Sequence, residues 1–414
     1  MNSNSKPIFL LLGGNKLNYG ILSKFQKKGY EVFVIDWNSK PDMIGDRHYQ
    51  IDVKDSEAII AALKKDGVWG HVAFAYSSID LAVPSVAYIN RALGLETISD
   101  KGLEYSSSKS KMTKRWKEMG ILNRYSKSFD SYDSQIYELN QTMKLIIKPD
   151  NSASSRGITI IEIGSDEKVI MNAFEKAKHE ATDALIVVEE FVEGVEFTVE
   201  MIGDAYGNVT VFGISRKTHT KNANSNKIAV KLHYNSVEET LQNEIADYGI
   251  RCYKALHFSA SLGHLEILLK EDGSISPIEI GARSSGFIAS DLVDIVSDTS
   301  FLEKLLFVHK RGVVMNGLHK QVDRSSMYFF YDFPENSIIE KEACLLDFCD
   351  DSIMSRYHDR SNITVGRQFH KIDNDNARFG YEILEGPKNI MTVSYIVEAE
   401  RKMLSYMLGG TYVI

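Results

Sequence analysis

The first hundred residues of the chain alternate between short apolar runs and segments in which apolar residues recur with the period of a helix. Four runs predict β-strands, and these are residues 7–12 (PIFLLL), EVFVIDWN, HYQIDVKD and HVAFAYSS. Two segments predict amphipathic helices, and these are ILSKFQKKGY and LAVPSVAYINRALGL. A continuous apolar run such as PIFLLL is typical of a strand buried in a parallel sheet. Because strands and helices alternate, we expect this part of the chain to form a doubly wound parallel sheet.

The pattern changes after about residue 107. SSKSKMTKRWKEMGI predicts a basic helix that ends at Gly120, and further strands are predicted for KLIIKPD, GITIIEI and ALIVVEEFV. Two longer segments each predict a hairpin, because a turn-forming sequence separates two apolar runs. These hairpins are VEFTVEMIGDAYGNVTVFGISRKT, with its turn at DAYGN, and GHLEILLKEDGSISPIEIG, with its turn at EDGS. Residues from about 311 onward predict a mixed, mostly strand region in which we find no catalytic pattern.

The bulk composition narrows the class of protein. The chain has 414 residues, of which 43% are hydrophobic and 25% are charged, with a formal net charge of −8. This length predicts several domains, and the acidic balance argues against a non-specific nucleic-acid binder, which usually has a basic surface. The three cysteines, Cys252, Cys344 and Cys349, form no CxxC pair and are odd in number, which favours a reducing compartment. The first apolar run is too short to span a membrane, so we expect a cytoplasmic protein without membrane or nucleic-acid partners.

The loop GGNKLNYG after the first predicted strand raises the question of dinucleotide binding. A glycine-rich turn between a strand and a helix is the setting in which a dinucleotide pyrophosphate binds. The loop lacks the GxGxxG spacing, so a plain tight turn is the favoured interpretation.

A second loop, within IIKPDNSASSRGITII, has the composition of a phosphate-binding loop. Lys148 ends an apolar strand, and small polar residues follow it before Arg156 and Gly157. Small residues let backbone N–H groups approach a phosphate closely, while hydroxyls add donors and a lysine adds positive charge. The alternative is an exposed flexible loop after an edge strand.

The segment LIVVEEFVEGVEF ends a predicted strand in two acids. Glu189 and Glu190 precede Phe191 and Val192, and Glu196 follows a turn that contains glycine. A segment of this kind can present backbone donors and acceptors to a purine edge, with Glu196 bound to a ribose hydroxyl. The alternative, a solvated acidic turn, is favoured when the segment is considered alone.

The hairpin GHLEILLKEDGSISPIEIGAR predicts a pair of carboxylates. Glu266 and Glu279 lie on strands joined by the short EDGS turn, so pairing of those strands can bring the two acids close together. Two nearby carboxylates repel each other and need a neutralising partner, and Mg²⁺ prefers such oxygen ligands when phosphates and water complete its shell. His264 shares the face of Glu266, and Arg283 follows Glu279 by four residues. The alternative is a structural ion pair between Arg283 and a strand acid.

The order of these features resembles that of the ATP-grasp carboxylate–amine ligases. In both, a lysine, a loop of small residues, an acidic hinge, two strand acids and an arginine follow one another along the chain. The resemblance covers roughly residues 8–300. Within this family the L-amino-acid (dipeptide) ligases are most similar, because EIGARSSGFIASDLV and GHLEILL resemble their motifs.

The resemblance implies a role for each matching residue. The implied nucleotide-binding residues are Lys109 (with Lys111 as the alternative register), Lys148, Ser152, Ser154, Ser155 and Gly157 of the phosphate loop, Glu189, Glu190, Phe191 and Val192 of the adenine hinge, and Glu196 at the ribose. The implied Mg²⁺ ligands are Glu266 and Glu279. The implied catalytic residues are Arg283, which steadies the transferring phosphate, Lys217 in SRKTHT and His233 in VKLHYNS.

The resemblance also implies a multidomain α/β and α+β architecture, the ATP-grasp fold. The expected divisions are a Rossmann-like domain over residues 1–105, a lid subdomain over 106–185, an ATP-grasp core with the metal site over 186–310 and a mixed α/β subdomain over 311–414. ATP is expected between the two β-rich subdomains.

The implied activity is ATP-dependent formation of an amide bond between two L-amino acids through an acyl phosphate, with release of ADP and phosphate. ATP and Mg²⁺ are the implied cofactors, with Mn²⁺ as a substitute metal. The implied partners are amino-acid substrates and a second copy of the chain in a homodimer. Two alternatives stay open, namely a ligase or carboxylase of nucleotide or other small-metabolite biosynthesis, and a non-catalytic nucleotide-binding protein.

Three features depart from the family pattern. Gly281 stands where many relatives carry an asparagine two residues after the second metal acid, so water or another acid must complete the metal shell. Ser285 precedes Gly286 where relatives often have two glycines, and the phosphate loop contains three serines and one glycine. None of these changes removes a charge that the implied chemistry needs.

Overall fold

The chain folds into three β-sheets in the computed structural model, which describes residues 6–151, 156–220, 228–286, 289–372 and 377–410. The N-terminal sheet has four strands in the order β3-β2-β1-β4, and every neighbouring pair is parallel. Its strands and helices are β1 (Ile8–Leu12), α1 (Tyr19–Lys27), β2 (Glu31–Asp36), β3 (Arg47–Gln50), α2 (Ser56–Lys65), β4 (Val72–Tyr76) and α3 (Val83–Ala92).

Helices cover both faces of this sheet, which explains why β1 is apolar at every position. Phe9 and Leu11 pack in one cluster with apolar residues of α1, while Leu10 and Leu12 pack in another with residues of α2 and α3. Successive side chains of a strand point to opposite faces, so a strand covered on both sides needs no polar positions. The predicted doubly wound parallel sheet is confirmed.

A small antiparallel sheet follows two short helices. Its strands run in the order β5-β8-β6-β7. The elements of this part are α4 (Asp100–Ser106), α5 (Lys109–Glu118), β5 (Ser126–Phe129), α6 (Ser134–Asn140), β6 (Leu145–Pro149), β7 (Thr159–Ile161), α7 (Glu167–Glu180) and β8 (Ile186–Glu190). Apolar residues of α6 and α7, such as Ile136 and Phe174, form the core of this part with the buried side chains of the sheet.

The rest of the described chain builds a nine-stranded sheet. Its path is β13-β12-β9-β10-β11-β15-β17-β16, and β14 pairs with β10. The strands are β9 (Val195–Gly203), β10 (Val209–His219), β11 (Ala229–Tyr234), β12 (Ser261–Leu269), β13 (Ile275–Gly281), β14 (Gly317–Leu318), β15 (Arg324–Phe330), β16 (Met354–Asp359) and β17 (Tyr381–Pro387). The helices are α8 (Glu239–Ala255), α9 (Ala289–Ser297), α10 (Phe301–His309) and α11 (Val393–Met407).

Both predicted hairpins are present, and the second one sets the geometry of the site. β12 and β13 are antiparallel, with Glu266 paired to Glu279. The turn closes through the Lys270 N–H, which donates to the Ser274 carbonyl at 2.9 Å, and Gly273 adopts a φ of +80°. A side chain rarely adopts that conformation, so the glycine suits the turn.

The sheets cross two of the predicted domain divisions. β8 begins just after residue 185 but pairs with β5 and β6 of the small sheet. β15 and β17, which lie beyond residue 311, continue the large sheet from β11. The four divisions stay a prediction, and the sheet pairings give the grouping that the site uses.

Among the described residues, no helix combines the length and the apolar character needed to cross a membrane. The cytoplasmic location and the homodimer stay predictions.

Candidate active site

A pocket lies between the small sheet and the large sheet, and apolar side chains from both line it. Ile146 and Ile160 come from the small sheet, Leu268 and Ile278 come from the large sheet, and Ile158 also lines it. The charged and imidazole side chains that line it are Arg124, Lys148, Glu189, Glu190, Glu196, Lys217, His219 and Glu266. An apolar slot with a few convergent polar groups is the usual form of a site for a small organic molecule.

Lys148 is held in the pocket by a buried carboxylate. Its Nζ lies 2.8 Å from Glu189 Oε2 on the neighbouring strand β8, and Arg124 Nη2 lies 3.2 Å from the same oxygen. All three side chains are buried. Burial alone raises the pKa of Glu189, but the Lys148 and Arg124 cations outweigh it and lower that pKa to about 2. Glu189 therefore stays ionised and fixes the ammonium of Lys148 beside the slot.

The last residue of β8 and the two residues that follow it run along the pocket. Glu190, Phe191 and Val192 all line it. The Phe191 N–H donates to the Lys144 carbonyl at 2.8 Å, and Lys144 Nζ lies 4.9 Å from the centre of the Phe191 ring. These contacts hold the segment along the pocket, and its role as an adenine hinge stays a prediction.

Glu196 and Lys217 meet in the pocket from the neighbouring strands β9 and β10. Lys217 Nζ lies 2.5 Å from Glu196 Oε1 and 2.9 Å from Glu266 Oε1, and His219 Nε2 lies 3.2 Å from Glu196 Oε2. Burial lowers the pKa of Lys217, but the two carboxylates outweigh it and hold that pKa well above its usual value. Lys217 is thus a permanent cation between two acids.

Glu266 and Glu279 face each other across β12 and β13, as the hairpin predicted. Lys217 neutralises Glu266, and Lys109 Nζ lies 3.3 Å from Glu279 Oε2. Burial raises the pKa of each carboxyl, but Lys217 outweighs it at Glu266 and lowers that pKa to about 2. Lys109 in the same way lowers the pKa of Glu279. Two ionised carboxylates therefore lie side by side, each with a lysine.

Asp150 determines where Lys109 lies, because it binds the first turn of α5. Its Oδ1 accepts from the Ser110 N–H at 2.6 Å, and its Oδ2 accepts from the Ser108 hydroxyl at 2.7 Å. A carboxylate satisfies the free N–H groups of a helix N-terminus and complements its dipole. In the resulting register Lys109 reaches Glu279, whereas Lys111 pairs with Glu104 on the exposed surface at 2.8 Å.

His264 connects the carboxylate pair to a deeper acid. Its Nδ1 lies 2.6 Å from Oε1 of the fully buried Glu200, and its Nε2 lies 3.6 Å from Glu266 Oε1. Burial lowers the pKa of His264, but Glu200 outweighs it and raises that pKa to about 9. The protonated imidazole therefore adds positive charge beside Glu266.

The carboxylate pair fits a divalent cation whose shell is completed by phosphate. Among the residues that the structure describes, no group of three or more His, Cys, Asp or Glu side chains is arranged to hold a metal alone. Mg²⁺ in nucleotide sites is usually bound through one or two carboxylates, with phosphate oxygens and waters in its other positions. Glu266 and Glu279 supply that donor set.

Arg283 follows β13 and binds an acid from the N-terminal sheet. Its Nε lies 2.8 Å from Asp80 Oδ1, and its Nη2 lies 2.6 Å from Asp80 Oδ2. Asp80 and, more weakly, Glu279 and Glu266 raise the pKa of Arg283 against the effect of burial. The guanidinium is therefore within electrostatic reach of the carboxylate pair, but its direct partner belongs to another part of the fold and not to a neighbouring strand.

Part of the chain that carries this site matches the sequence model of a known family. Residues 141–291 match the family model described as an ATP-grasp domain. The chain contains an ATP-grasp domain. The matched stretch includes Lys148, Lys217, both opposed carboxylates and Arg283.

Two solved structures share the ATP-grasp fold over almost the whole chain. The L-amino acid ligase from Bacillus licheniformis has a TM-score of 0.70 and 17% sequence identity, with 97% of this chain and 98% of that chain covered. The biotin carboxylase domain of the Hydrogenobacter thermophilus 2-oxoglutarate carboxylase, solved with MgADP, ADP and bicarbonate, has a TM-score of 0.70 and 14% identity, with 97% and 90% covered. These likenesses confirm the predicted fold class.

A curated protein is similar over part of its length. The D-alanine–D-alanine ligase of Halalkalibacterium halodurans is 22% identical over 185 residues, which is 45% of this chain and 54% of that ligase. The chain therefore spans about half the length of the curated relative that it matches.

Of the predicted site residues that the structure describes, His233 faces away from the pocket. His233 on β11 lies opposite Arg216, so it points to the other face of the large sheet from Lys217. Burial, Arg216 and Lys231 lower the pKa of His233 to about 4. Ser152, Ser154 and Ser155 lie outside the described residues.

Gly157 marks the point at which the predicted phosphate loop returns to the small sheet. It adopts a φ of +72°, and a Cβ there would lie 2.9 Å from Pro149 Cγ. The glycine is therefore needed for the close approach of the loop to the end of β6. Its contact with nucleotide stays a prediction.

Sequence reasoning missed five residues that shape the ATP-grasp site, namely Asp80, Arg124, Asp150, Glu200 and His219. Each acts through a contact between residues far apart in the chain. Asp150 and His219 lie inside the quoted stretches IIKPDNSASSRGITII and SRKTHT, but the residue pattern assigned neither of them a role. Asp80 had the clearest signal, because it lies just beyond the carboxyl end of a parallel strand, where α/β sheets place ligand-binding groups.

Proposed function

We propose that this protein is an ATP-dependent ligase that joins the carboxylate of one L-amino acid to the amine of another and forms an α-dipeptide. The observation that carries the proposal is the opposed pair Glu266 and Glu279, flanked by two lysines and within reach of the Arg283 guanidinium. Facing carboxylates with nearby cations suit a metal-bound triphosphate and the anionic groups that react with it. Likeness to an L-amino acid ligase over 97% of the chain supports the choice of substrate class.

The nucleotide is proposed to lie in the slot between the small and large sheets. The apolar side chains of Ile146, Ile160 and Leu268 offer faces for the adenine ring, and the segment of residues 190–192 offers backbone groups to its edge. Lys148 and Lys109 are proposed to supply positive charge for the phosphates, and Glu196 is proposed to bind a ribose hydroxyl. Ser152, Ser154, Ser155 and Gly157 are proposed to add donors to the phosphates.

Glu266 and Glu279 are proposed to hold Mg²⁺, which supplies positive charge against the phosphate oxygens when bound. Their low pKa values keep both carboxylates ionised at neutral pH. Lys217 and Lys109 limit the repulsion between them before the ion arrives. His264 adds further positive charge beside Glu266, with its Nε2 at 3.6 Å from Glu266 Oε1.

A carboxylate becomes reactive when it is phosphorylated. In the first proposed step, a carboxylate oxygen of one amino acid attacks the γ-phosphorus of ATP, and the bond to ADP breaks. In the second step, the amine of the other amino acid attacks the acyl carbon, phosphate leaves with the electrons of the broken C–O bond, and the amine loses a proton. Arg283 stabilises negative charge on the transferring phosphoryl group and on the tetrahedral intermediate, so the protein acts by positioning and charge stabilisation.

The proposal is tested by phosphate release from ATP and Mg²⁺, with and without a pool of the twenty L-amino acids, followed by mass spectrometry of the products. Amino-acid-dependent phosphate together with new dipeptide masses is the expected result. Phosphate release stimulated by bicarbonate instead of amino acids would favour the carboxylase alternative, which the likeness to a biotin carboxylase domain motivates. Bound ADP without turnover in any mixture would favour a non-catalytic nucleotide-binding protein.

A further inference from the structure

The loop after β4 holds Asp80 in a fixed position on the N-terminal sheet. The Ser77 hydroxyl donates to the Leu12 carbonyl at 2.7 Å and accepts from the Ile79 N–H at 3.0 Å. The Asn18 side-chain amide donates to the Ser78 hydroxyl at 3.1 Å. Three consecutive residues after β4, Ser77, Ser78 and Ile79, are thus held by hydrogen bonds directly before Asp80.

Two contacts connect this loop to the segment that carries Arg283. Asp80 binds the Arg283 guanidinium through both carboxylate oxygens, at 2.8 Å and 2.6 Å. Four residues earlier, the buried Tyr76 hydroxyl shares a hydrogen bond with the buried hydroxyl of Ser284. A bidentate pair fixes the plane of a guanidinium as well as its distance, so the N-terminal sheet sets the orientation of Arg283.

Gly281 makes room for this arrangement. A Cβ at residue 281 would lie 3.1 Å from Asp80 Oδ1, 3.3 Å from Arg283 Cγ and 3.4 Å from Arg283 Cζ. Those distances are tighter than an ordinary van der Waals contact, so a side chain here would press on both partners. The Asp80 carboxylate thus occupies the space beside β13 that a side chain at residue 281 would take.

We propose that Asp80 is a positioning residue for Arg283, by which the N-terminal sheet aims the guanidinium at the transferring phosphate. The proposal rests on the proposed ligase function, in which Arg283 stabilises the developing charge. Without Asp80, the guanidinium keeps its charge and its Nη1 bond to the Ser284 carbonyl at 2.9 Å, but it loses the two contacts that together fix its plane. A misplacement of about 1 Å at a reacting centre can lower a rate about 100-fold.

A matched control exists at a second ion pair between the same two parts of the fold. Lys24 on α1 lies 3.1 Å from Asp291 Oδ1 on α9 and also contacts Asp294, so it docks the N-terminal sheet without contacting Arg283. The variants Asp80→Asn and Lys24→Met are compared with wild type for kcat and KM of amino-acid-dependent phosphate release, for ADP affinity and for Tm. Asp80→Asn is expected to lower kcat by about 10- to 100-fold with an unchanged ADP affinity. Lys24→Met is expected to lower Tm and leave kcat unchanged.

Equal losses of kcat in the two variants would show that Asp80 acts only by docking the N-terminal sheet. An unchanged kcat in Asp80→Asn would show that Asp80 does not position Arg283 for the reaction. Either result overturns the proposal. A second measurement does not depend on the substrate assignment, namely the rate at which phenylglyoxal labels Arg283, followed by mass spectrometry of its peptide. Faster labelling in Asp80→Asn than in wild type and Lys24→Met is expected, and equal labelling in all three proteins overturns the pairing. If no amino acid stimulates the wild-type protein, the ligase assignment fails, and the labelling result alone decides the Asp80 pairing.

Discussion

Glu266 lies directly opposite Glu279 on neighbouring antiparallel strands, and each carboxylate has its own lysine partner. Side chains at such positions start about 4.5–5.5 Å apart at Cβ, and like charges there destabilise a sheet. Lys217 comes from the same sheet, whereas Lys109 comes from the N-terminal turn of α5. Lysines from two separate elements thus keep two repelling acids ionised. This arrangement costs stability of the sheet and suits the binding of a cation.

Glu279→Gln is expected to abolish Mg²⁺-dependent ATP turnover while the protein stays folded. The substitution removes one of the two charged oxygen donors, and it also removes repulsion with Glu266, so Tm should change by only a few degrees. Glu271→Gln, on the exposed turn of the same hairpin, is the matched control. Phosphate release measures turnover in both variants. Full activity in a folded Glu279→Gln protein would contradict the metal role of Glu279.

Lys109 and Lys111 offer a paired test of the helix register. Lys109→Met is expected to weaken ATP binding and to lower turnover, because it removes a cation beside Glu279 that is proposed to face the phosphates. Lys111→Met removes only an exposed pair with Glu104, which solvent screens, so ATP affinity should stay that of wild type. Isothermal titration with ATP and Mg²⁺ checks both variants, and equal affinities for the two would show that the register assigned to Lys109 is wrong.

Arg283→Ala is expected to leave ADP binding intact and to lower turnover by about 100- to 1,000-fold. Removing one preorganised group that stabilises transition-state charge has effects of about this size. The exposed Arg311, which pairs with Glu96, provides a control in the form of Arg311→Ala. Single-turnover phosphate release measures the chemical step, and an unchanged rate in Arg283→Ala would return this arginine to a purely structural pairing with Asp80.

The sequence predicted the elements and the strand acids well, because local patterns encode them. The alternation of residues 7–12 with helical segments predicts the parallel sheet, and the EDGS turn sets the pairing of Glu266 with Glu279. Strand register also decides the face on which His233 lies: it pairs with Arg216 and so points away from Lys217. Its role near substrate stays a prediction. A shift of one residue along a strand reverses the face of a side chain, and spacing in the sequence did not determine that shift.

The contacts between distant elements were not predictable in the same way. Arg124 joins β8 to β13 by binding Glu189, the Ser276 hydroxyl and the Pro277 carbonyl. No local motif marks such a residue, since its partners lie 65 to 153 positions away. The same is true of Asp80 and Arg283, which are 203 residues apart. Pairs of this kind depend on how domains pack, which periodicity and composition do not encode.

Glu189→Gln is expected to destabilise the protein in a pH-dependent way. Removing one partner of a buried ion pair costs about 3–5 kcal/mol, because Lys148 and Arg124 keep their charges. The pKa of Glu189 is about 2 in the folded protein, below its ordinary value of 4.5, so the carboxylate stabilises the fold above pH 4.5. The difference in unfolding free energy between wild type and variant should therefore shrink as pH falls from 4.5 to 2. Urea denaturation across this range provides the measurement, and a constant difference would contradict the assigned pairing.

Gly281→Ala is expected to lower turnover while leaving nucleotide affinity unchanged. The new Cβ would lie 3.1 Å from Asp80 Oδ1 and 3.3 Å from Arg283 Cγ, so the bidentate pair must shift by a few tenths of an ångström or open. The three atoms nearest to the new Cβ belong to Asp80 and Arg283 and not to Glu266 or Glu279, so ADP and Mg²⁺ should bind as in wild type. Gly70→Ala is the matched control, because a Cβ at that exposed residue meets nothing within 4 Å. Steady-state kinetics give kcat and KM separately for both variants. A loss confined to kcat in Gly281→Ala supports a requirement for an oriented Arg283. A wild-type kcat would mean that the Asp80–Arg283 pair tolerates displacement.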